Sequence, residues 1–210
     1  YKTIKKMIMP LYTSLSVDLT ITSTFLPILC GGTIKTYKEI FNPSIFKKII
    51  NDPEINVIKG TPTHFSFITN NKNVNNKEIL IIGGEQLTVN MCEKLTDVLG
   101  ESCKIVNEYG PTETTVGCTY YTYNKNCKNV VPIGKPIFNT KVLVYDNKII
   151  REENKIGELL VSGDSVFNGY LGIDNNCFIE IDNEKYYKTG DTVYIKDNNL
   201  YYVERIDSQV

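Results

Sequence analysis

The chain has no surplus of charge of either sign. Its 23 Lys+Arg nearly balance 24 Asp+Glu over 210 residues, giving a formal net charge of −1. It therefore carries no broad field that would draw in nucleic acid or an anionic membrane. The basic pairs Lys5-Lys6 and Lys47-Lys48 are isolated and read as solvated helix faces. Also missing is the C-x-x-C spacing of a zinc site or dithiol centre. Cys30, Cys92, Cys103, Cys118, Cys127 and Cys177 are scattered, a usage that fits a reduced, cytoplasmic compartment. The longest apolar run, around Phe25 to Cys30, is far short of the roughly 20 residues that span a bilayer. No charged-then-apolar leader opens the chain, and no internal repeat is present. The sole histidine, His64, lies in Thr-Pro-Thr-His-Phe without an accompanying Ser or Cys motif. A helix-terminal or packed histidine fits this better than a catalytic base. With Tyr1 rather than Met in first position and no terminal signal at Val210, the sequence reads as a piece of a longer one.

What is present supports a packed fold. The 41% hydrophobic content is ordinary for one substantial core or two small domains. From Pro43 to about Val106, amphipathic and short β-branched segments alternate. Helices are expected over Pro43 to Ile50, Pro62 to Thr69 and Thr88 to Leu99, and strands over Ile55 to Ile58, Ile79 to Ile82 and Lys104 to Val106. Such βαβ alternation predicts a parallel sheet covered by helices. After about Gly117 only short strands are expected, over Cys118 to Tyr123, Lys141 to Tyr145, Glu158 to Ser162, Tyr186 to Lys188, Thr192 to Ile195 and Leu200 to Val203. Asp146-Asn147 and Asp197-Asn198-Asn199 are the hairpin turns between some of them. The fold class is thus α/β, a mostly parallel part at residues 1–125 followed by a mostly antiparallel β part at residues 126–204. The boundary falls near Asn124 to Asn129. The Asn- and Lys-rich stretch from Asn70 to Lys77 reads as a solvated loop.

Open parallel sheets bind ligands beyond the carboxyl ends of their strands, and two loops there stand out. Gly83-Gly84-Glu85 follows the strand at Ile79 to Ile82; bare backbone there either makes a turn or lets a planar ring or phosphate approach closely. Asn107-Glu108-Tyr109-Gly110-Pro111-Thr112-Glu113-Thr114 follows Lys104 to Val106. The Gly-Pro step forces a sharp turn, displaying Tyr109, Thr112 and Glu113. Hydroxyls beside a carboxylate suit magnesium-phosphate chemistry, although a Pro-Thr-Glu turn can also just cap a helix.

The run Asn107 to Glu113 closely resembles the N-x-Y-G-P-T-E core motif of adenylate-forming, AMP-binding enzymes, in the form typical of nonribosomal peptide synthetase adenylation domains. Further matches follow in the family's order: Gly157-Glu-Leu-Leu-Val-Ser-Gly with Gly169-Tyr-Leu, Tyr187-Lys-Thr-Gly-Asp191, and Arg205-Ile-Asp-Ser-Gln-Val. The resemblance implies an internal fragment of the large N-terminal domain of that fold, incomplete at its N-terminal side, with a distorted β-barrel over residues 126–204 and a hinge opening at 205–210. It implies ATP-dependent activation of an amino acid to its adenylate, release of pyrophosphate, and transfer to the phosphopantetheine thiol of a carrier protein. On that reading Gly83, Gly84 and Glu85 lie along adenine, Tyr109 stacks on it, and Asn107 and Gly110 complete the ATP-binding set. Thr112 contacts the α-phosphate, and Glu113 holds Mg²⁺. Asp191 accepts from both ribose hydroxyls, Arg205 supports ribose and phosphate, Tyr202 closes the nucleotide pocket, and Asp207 is the hinge. One departure is Glu204, which stands where a Gly usually precedes the Arg and puts the hinge geometry in question. The family's phosphate loop and adenylation lysine are expected before Tyr1 and after Val210, so the fragment alone is expected to be inactive.

Ser14 to Thr22 resembles the family's helix bearing the first residues of the amino-acid pocket. Asp18 would bind the substrate α-ammonium there, or else serve as a helix N-cap. The implied lining is Asp18, Leu19, Thr22, Lys59, Ile81, Gly83, Glu108, Val116 and Gly117. A lysine and a glutamate facing one pocket satisfy a carboxamide, donating to its oxygen and accepting from its NH₂. Asparagine fits, whereas aspartate would set its carboxylate against Glu108. Lys59 could instead be a surface strand-end residue paired with Glu108. Two alternatives remain open: an acyl- or aryl-CoA ligase of the same fold, against which Asp18 argues, and a noncatalytic docking remnant.

Overall fold

A computed structural model describes residues 4, 6–38, 42–68, 76–128, 130–172 and 176–206. Two compact units make up the chain: Tyr1–Asn107 with Thr122–Val131, and Glu108–Tyr121 with Pro132–Val210.

The first unit runs β1 (Ile8–Leu11), α1 (Leu19–Leu29), β2 (Thr33–Thr36), α2 (Pro43–Asn51), β3 (Val57–Gly60), α3 (Pro62–Ser66), β4 (Ile79–Gly83), α4 (Val89–Leu99) and most of β5 (Lys104–Tyr109). β1 pairs parallel with β2, β3 pairs parallel with β4, and β5 follows β4 in strand order. Every residue of β3 and β4 is buried, as expected of parallel strands covered on both faces. Met7, Met9, Val57, Ile79, Ile81 and Val106 form one core cluster.

The helices begin where the sequence says they should. Asn42 accepts from the Ile45 N–H at 3.0 Å, with Pro43 in the first turn, and Ile45, Phe46, Ile49 and Ile50 are the buried face of α2. Thr88 caps α4 by accepting from Met91, and Gly100 ends it at φ 84°. α3 is shorter than expected. Its Thr61 cap is reciprocated by His64, whose Nδ1 accepts from the Thr61 N–H at 3.1 Å. His64 is thus a capping residue. α1 is the helix with the weakest pattern: it buries Thr20, Ser23 and Pro27 while Ile21, Phe25, Ile28 and Leu29 are exposed. Thr69, the expected end of α3, and residues 70–75 of the Asn-rich stretch lie outside the described residues. Lys77 at its end is buried and donates to the Asp52 carbonyl at 2.8 Å, so that position is not solvated.

The second unit takes the end of β5, a 3₁₀ turn at Thr112–Thr114, all but the last residue of β6 (Thr119–Thr122), β7 (Lys135–Pro136), β8 (Thr140–Tyr145), β9 (Ile149–Ile150), β10 (Gly157–Gly163), β11 (Phe178–Ile181), β12 (Glu184–Lys196) and β13 (Asn199–Arg205). β6 pairs antiparallel with β7, and the other strands from β8 onward form an antiparallel sheet ordered β11-β12-β10-β8-β9, with β13 also on β12. Cys118, Ile133, Val144, Leu159, Val161, Val193 and Leu200 make its core.

Three expectations need correction here. The expected barrel does not close among the described residues. β12 pairs β10 through its middle, from Tyr187 to Val193, while β11 takes its start and β13 its second half, and the other end of the sheet is the two-residue β9. The sheet therefore stays open. The strands expected separately at Tyr186 to Lys188 and Thr192 to Ile195 are one 13-residue strand, because Gly190 at φ 72° carries the chain on through a register shift rather than ending it. β5 extends past Val106 to Tyr109, so Asn107, Glu108 and Tyr109 are strand residues rather than loop. Both hairpin turns form, with Asn147, Asp197 and Asn198 at positive φ, as short Asx side chains permit.

Candidate functional site

In the second unit the chain doubles back on itself after Tyr109. The Cys118 N–H donates to the Tyr109 carbonyl at 2.9 Å. A Cβ on Gly110 would sit 2.4 Å from the Val116 carbonyl oxygen and 2.7 Å from the Cys118 nitrogen, so the reversal requires glycine. Pro111 then opens the 3₁₀ turn, whose Thr114 hydroxyl donates back to the Pro111 carbonyl at 2.9 Å. Thr115 and Val116 follow in the left-handed region at φ 58° and 72°. For β-branched residues each such conformation costs about 1–3 kcal/mol and persists only where surrounding contacts hold it. The turn is thus stiff, and it displays an exposed Thr112 and a half-buried Glu113.

Successive side chains of β5 project to opposite faces. Tyr109 packs against the second unit's core, and its hydroxyl donates to Asp191 Oδ2. Asp191 is 4% exposed. Its other oxygen accepts from Arg205 Nη1 at 3.2 Å across the β12–β13 pair, and its N–H donates to Thr189 Oγ1 at 3.1 Å. Burial, reinforced by the Asp191 charge, pushes the Tyr109 phenol well above its ordinary value, so it stays a donor at neutral pH. The Tyr202 ring centroid lies 6.4 Å from that of Tyr109. Four residues distant in sequence, Tyr109, Asp191, Tyr202 and Arg205, are therefore brought together. Glu108, on the other face of β5, lies against Gly117: a Cβ there would meet its Oε1 at 2.4 Å.

Glu113 is held at both ends. Its carbonyl accepts from the Phe167 N–H at 2.9 Å, and its carboxylate accepts from the Tyr170 hydroxyl. That bond, more than burial, pushes the Tyr170 phenol up to about 12. These partners were missed from sequence alone: Gly169-Tyr-Leu was legible as a motif, but nothing local tells that a residue 57 positions on would reach Glu113. Among the described residues no group of three or more His, Cys, Asp or Glu could hold a metal ion. A lone carboxylate with neighbouring hydroxyls fits Mg²⁺, which takes few protein ligands and fills its octahedron from phosphate and water. It does not fit zinc.

The first unit supplies the other sequence-derived residues. Lys59, third in β3, is 1% exposed, so it is a buried lysine rather than a surface strand-end residue. It is the direct Cα partner of Ile81 on β4, and Tyr12 donates to its carbonyl at 2.6 Å. Gly83 ends β4, and Gly84 at φ 81° turns the chain toward Glu85. The Glu85 carboxylate accepts from the Thr63 N–H and hydroxyl at 3.0 and 2.7 Å. Burial raises the Glu85 pKa, but hydrogen bonds from Thr63 and Thr61 outweigh it and hold the carboxyl below its ordinary value. Asp18 stands at the N-cap position of α1, as the second alternative expects, but without a capping hydrogen bond from its side chain. Leu19 and Thr22 are half-buried on the same helix. Glu204 is a β13 residue paired with Thr192, and it is not among the residues at positive φ, so the backbone there does not demand glycine. Asp207 lies outside the described residues. No described helix is long and apolar enough to cross a membrane.

Residues 3–171 match the family model described as AMP-binding enzyme. Tyrocidine synthase 3 of Brevibacillus parabrevis is 36% identical over 96% of the chain, which spans only 3% of that protein. Among solved structures, PA1221, a nonribosomal peptide synthetase protein containing adenylation and PCP domains, superposes with a TM-score of 0.89 at 22% identity, over 98% of this chain and 38% of that one. The Vibrio cholerae adenylation domain AlmE, in complex with glycyl-adenosine-5'-phosphate, superposes with a TM-score of 0.87 at 23% identity, over 98% and 41%.

Proposed function

The chain belongs to the AMP-binding enzyme family, and from that premise we propose that it forms part of a domain activating L-asparagine with ATP for nonribosomal peptide synthesis. The product is the aminoacyl-adenylate, pyrophosphate leaves, and the aminoacyl group passes to a phosphopantetheine thiol on a carrier domain. The observation that carries the nucleotide part is the joining of Tyr109, Asp191 and Arg205 directly before a rigid turn presenting Thr112 and Glu113. An ionised carboxylate has about four lone-pair sites. Asp191 accepts from Tyr109 and Arg205, and a carboxylate placed there can accept from the two hydroxyls of a ribose.

Each residue then has a task. Tyr109, with Tyr202 near it, offers a ring face to adenine, while Gly83, Gly84 and Glu85 offer flat backbone, and Asn107 and Gly110 hold the β5 turn. Thr112 donates to the α-phosphate. Glu113 holds Mg²⁺, which neutralises charge developing at phosphorus. Asp18 receives the substrate ammonium. Lys59 donates to the carboxamide oxygen, and Glu108 accepts from its NH₂. Leu19, Thr22, Ile81, Gly83, Val116 and Gly117 shape the remainder of the amino-acid site. Asp207 opens the hinge at 205–210, beyond parts at 1–125 and 126–204. Six cysteines outside any disulfide support a cytoplasmic setting, and the carrier partner is argued from PA1221, which contains a PCP domain.

The test is ATP–pyrophosphate exchange by the complete domain over a panel of amino, fatty and aryl acids. Asparagine should give the strongest signal, with aspartate well below it. Exchange with fatty or aryl acids and none with amino acids would overturn the proposal.

A further inference from the structure

The motif Gly169-Tyr-Leu is left without a task by this account, yet it reaches the metal-binding turn. Three bonds join the segment at 165–170 to that turn: Phe167 N–H to the Glu113 carbonyl at 2.9 Å, Thr115 hydroxyl to the Ser165 carbonyl at 2.6 Å, and Tyr170 hydroxyl to Glu113 Oε1. Tyr170 does not stand alone. Its ring meets Phe167 edge-on at a centroid distance of 4.9 Å, and Phe167 contacts Phe178 at 5.3 Å and Tyr187 at 5.5 Å. Lys185 Nζ lies over the Phe178 ring at 3.5 Å from its centroid. Aromatic pairs of this kind contribute about 0.5–1.5 kcal/mol each beyond burial, enough to restrain a tyrosine that is 42% exposed.

We infer that Tyr170 is a positioning residue for the metal: its hydroxyl, steadied by the Phe167–Phe178–Tyr187 cluster, fixes one oxygen of Glu113 so that the other is presented to Mg²⁺. This rests on the reading of Glu113 as the magnesium carboxylate. A ligating carboxylate held by an outer hydrogen bond loses no rotamer freedom when the ion arrives, and removing such outer partners typically costs 10–100-fold in metal affinity. The backbone bond from Phe167 and the Thr115–Ser165 bond do not depend on the Tyr170 hydroxyl, so the turn stays in place without it.

The experiment measures ATP affinity of the complete domain in EDTA and again in saturating Mg²⁺, for wild type, Tyr170→Phe and Glu113→Gln. The ratio of the two affinities reports metal coupling rather than turnover. Tyr170→Phe keeps the ring against Phe167. It should leave ATP affinity in EDTA unchanged while cutting the Mg²⁺-dependent tightening by about tenfold or more. Tightening equal to wild type in Tyr170→Phe, with Glu113→Gln impaired, overturns the inference and leaves the metal assignment standing. Tightening unaffected in Glu113→Gln removes the metal assignment itself, and the inference falls with it.

Discussion

Gly117→Ala is a small change with a specific expected consequence. The new Cβ would lie 2.4 Å from Glu108 Oε1 and 2.6 Å from its Cδ and Cγ, where ordinary contact needs about 3.5 Å. The Glu108 side chain, half-buried and flexible, must therefore swing aside by roughly 1 Å. The backbone need not move, so the melting temperature should hardly change. If Glu108 accepts from the substrate carboxamide, that displacement removes a charge-assisted hydrogen bond worth about 1.5–3 kcal/mol. This corresponds to a fall of roughly 10- to 150-fold in kcat/KM for asparagine. The KM for ATP should stay as in wild type, because Tyr109, Asp191 and Arg205 lie off the Glu108 face. The assay is asparagine-dependent pyrophosphate exchange with ATP and asparagine varied separately. An unchanged asparagine kcat/KM, or an equal rise in both KM values, would refute the reasoning.

Other substitutions probe other parts of the account. Glu108→His should shift preference from asparagine toward aspartate, read as a changed ratio of exchange rates; an unchanged ratio counts against the pocket assignment. Asp191→Asn should raise the KM for ATP and lower stability by about 1–3 kcal/mol by weakening the bonds to Tyr109 and Arg205, seen as a lower urea midpoint; a wild-type midpoint contradicts that network. Gly110→Ala sets a Cβ against fixed backbone at Val116 and Cys118 and should destabilise by about 1–3 kcal/mol, so a wild-type thermal midpoint would show that the reversal at Gly110 is looser than described.

Much of this fold was legible because local signals and burial agree. α2 and α4 carry caps and one apolar face, and their ends fell within a residue or so of expectation. α1 shows no such pattern: its buried residues are Thr20, Ser23 and Pro27, while Ile21, Phe25, Ile28 and Leu29 are exposed, so it carries no clean apolar face to read. β12 reads in the sequence as two strands, Tyr186 to Lys188 and Thr192 to Ile195, whereas pairing on both edges carries one strand through Gly190. The site divides similarly. Glu113 and Asp191 were found as motif members, but Tyr109–Asp191 spans 82 residues and Tyr170–Glu113 spans 57. Such contacts are set by sheet pairing and loop return, which no local pattern encodes. The resemblance named the carboxylates; the fold supplied their partners.

The central claim is that the substrate carboxylate attacks the α-phosphorus of ATP. Asparagine labelled with ¹⁸O in its α-carboxylate, incubated with ATP, Mg²⁺, hydroxylamine and the complete domain, gives the most direct measurement, by mass spectrometry of the nucleotide product. The account predicts asparagine hydroxamate together with AMP carrying one ¹⁸O atom, because the bridging oxygen leaves with AMP when hydroxylamine takes the acyl group. Unlabelled AMP, or ADP as the nucleotide product, would contradict it.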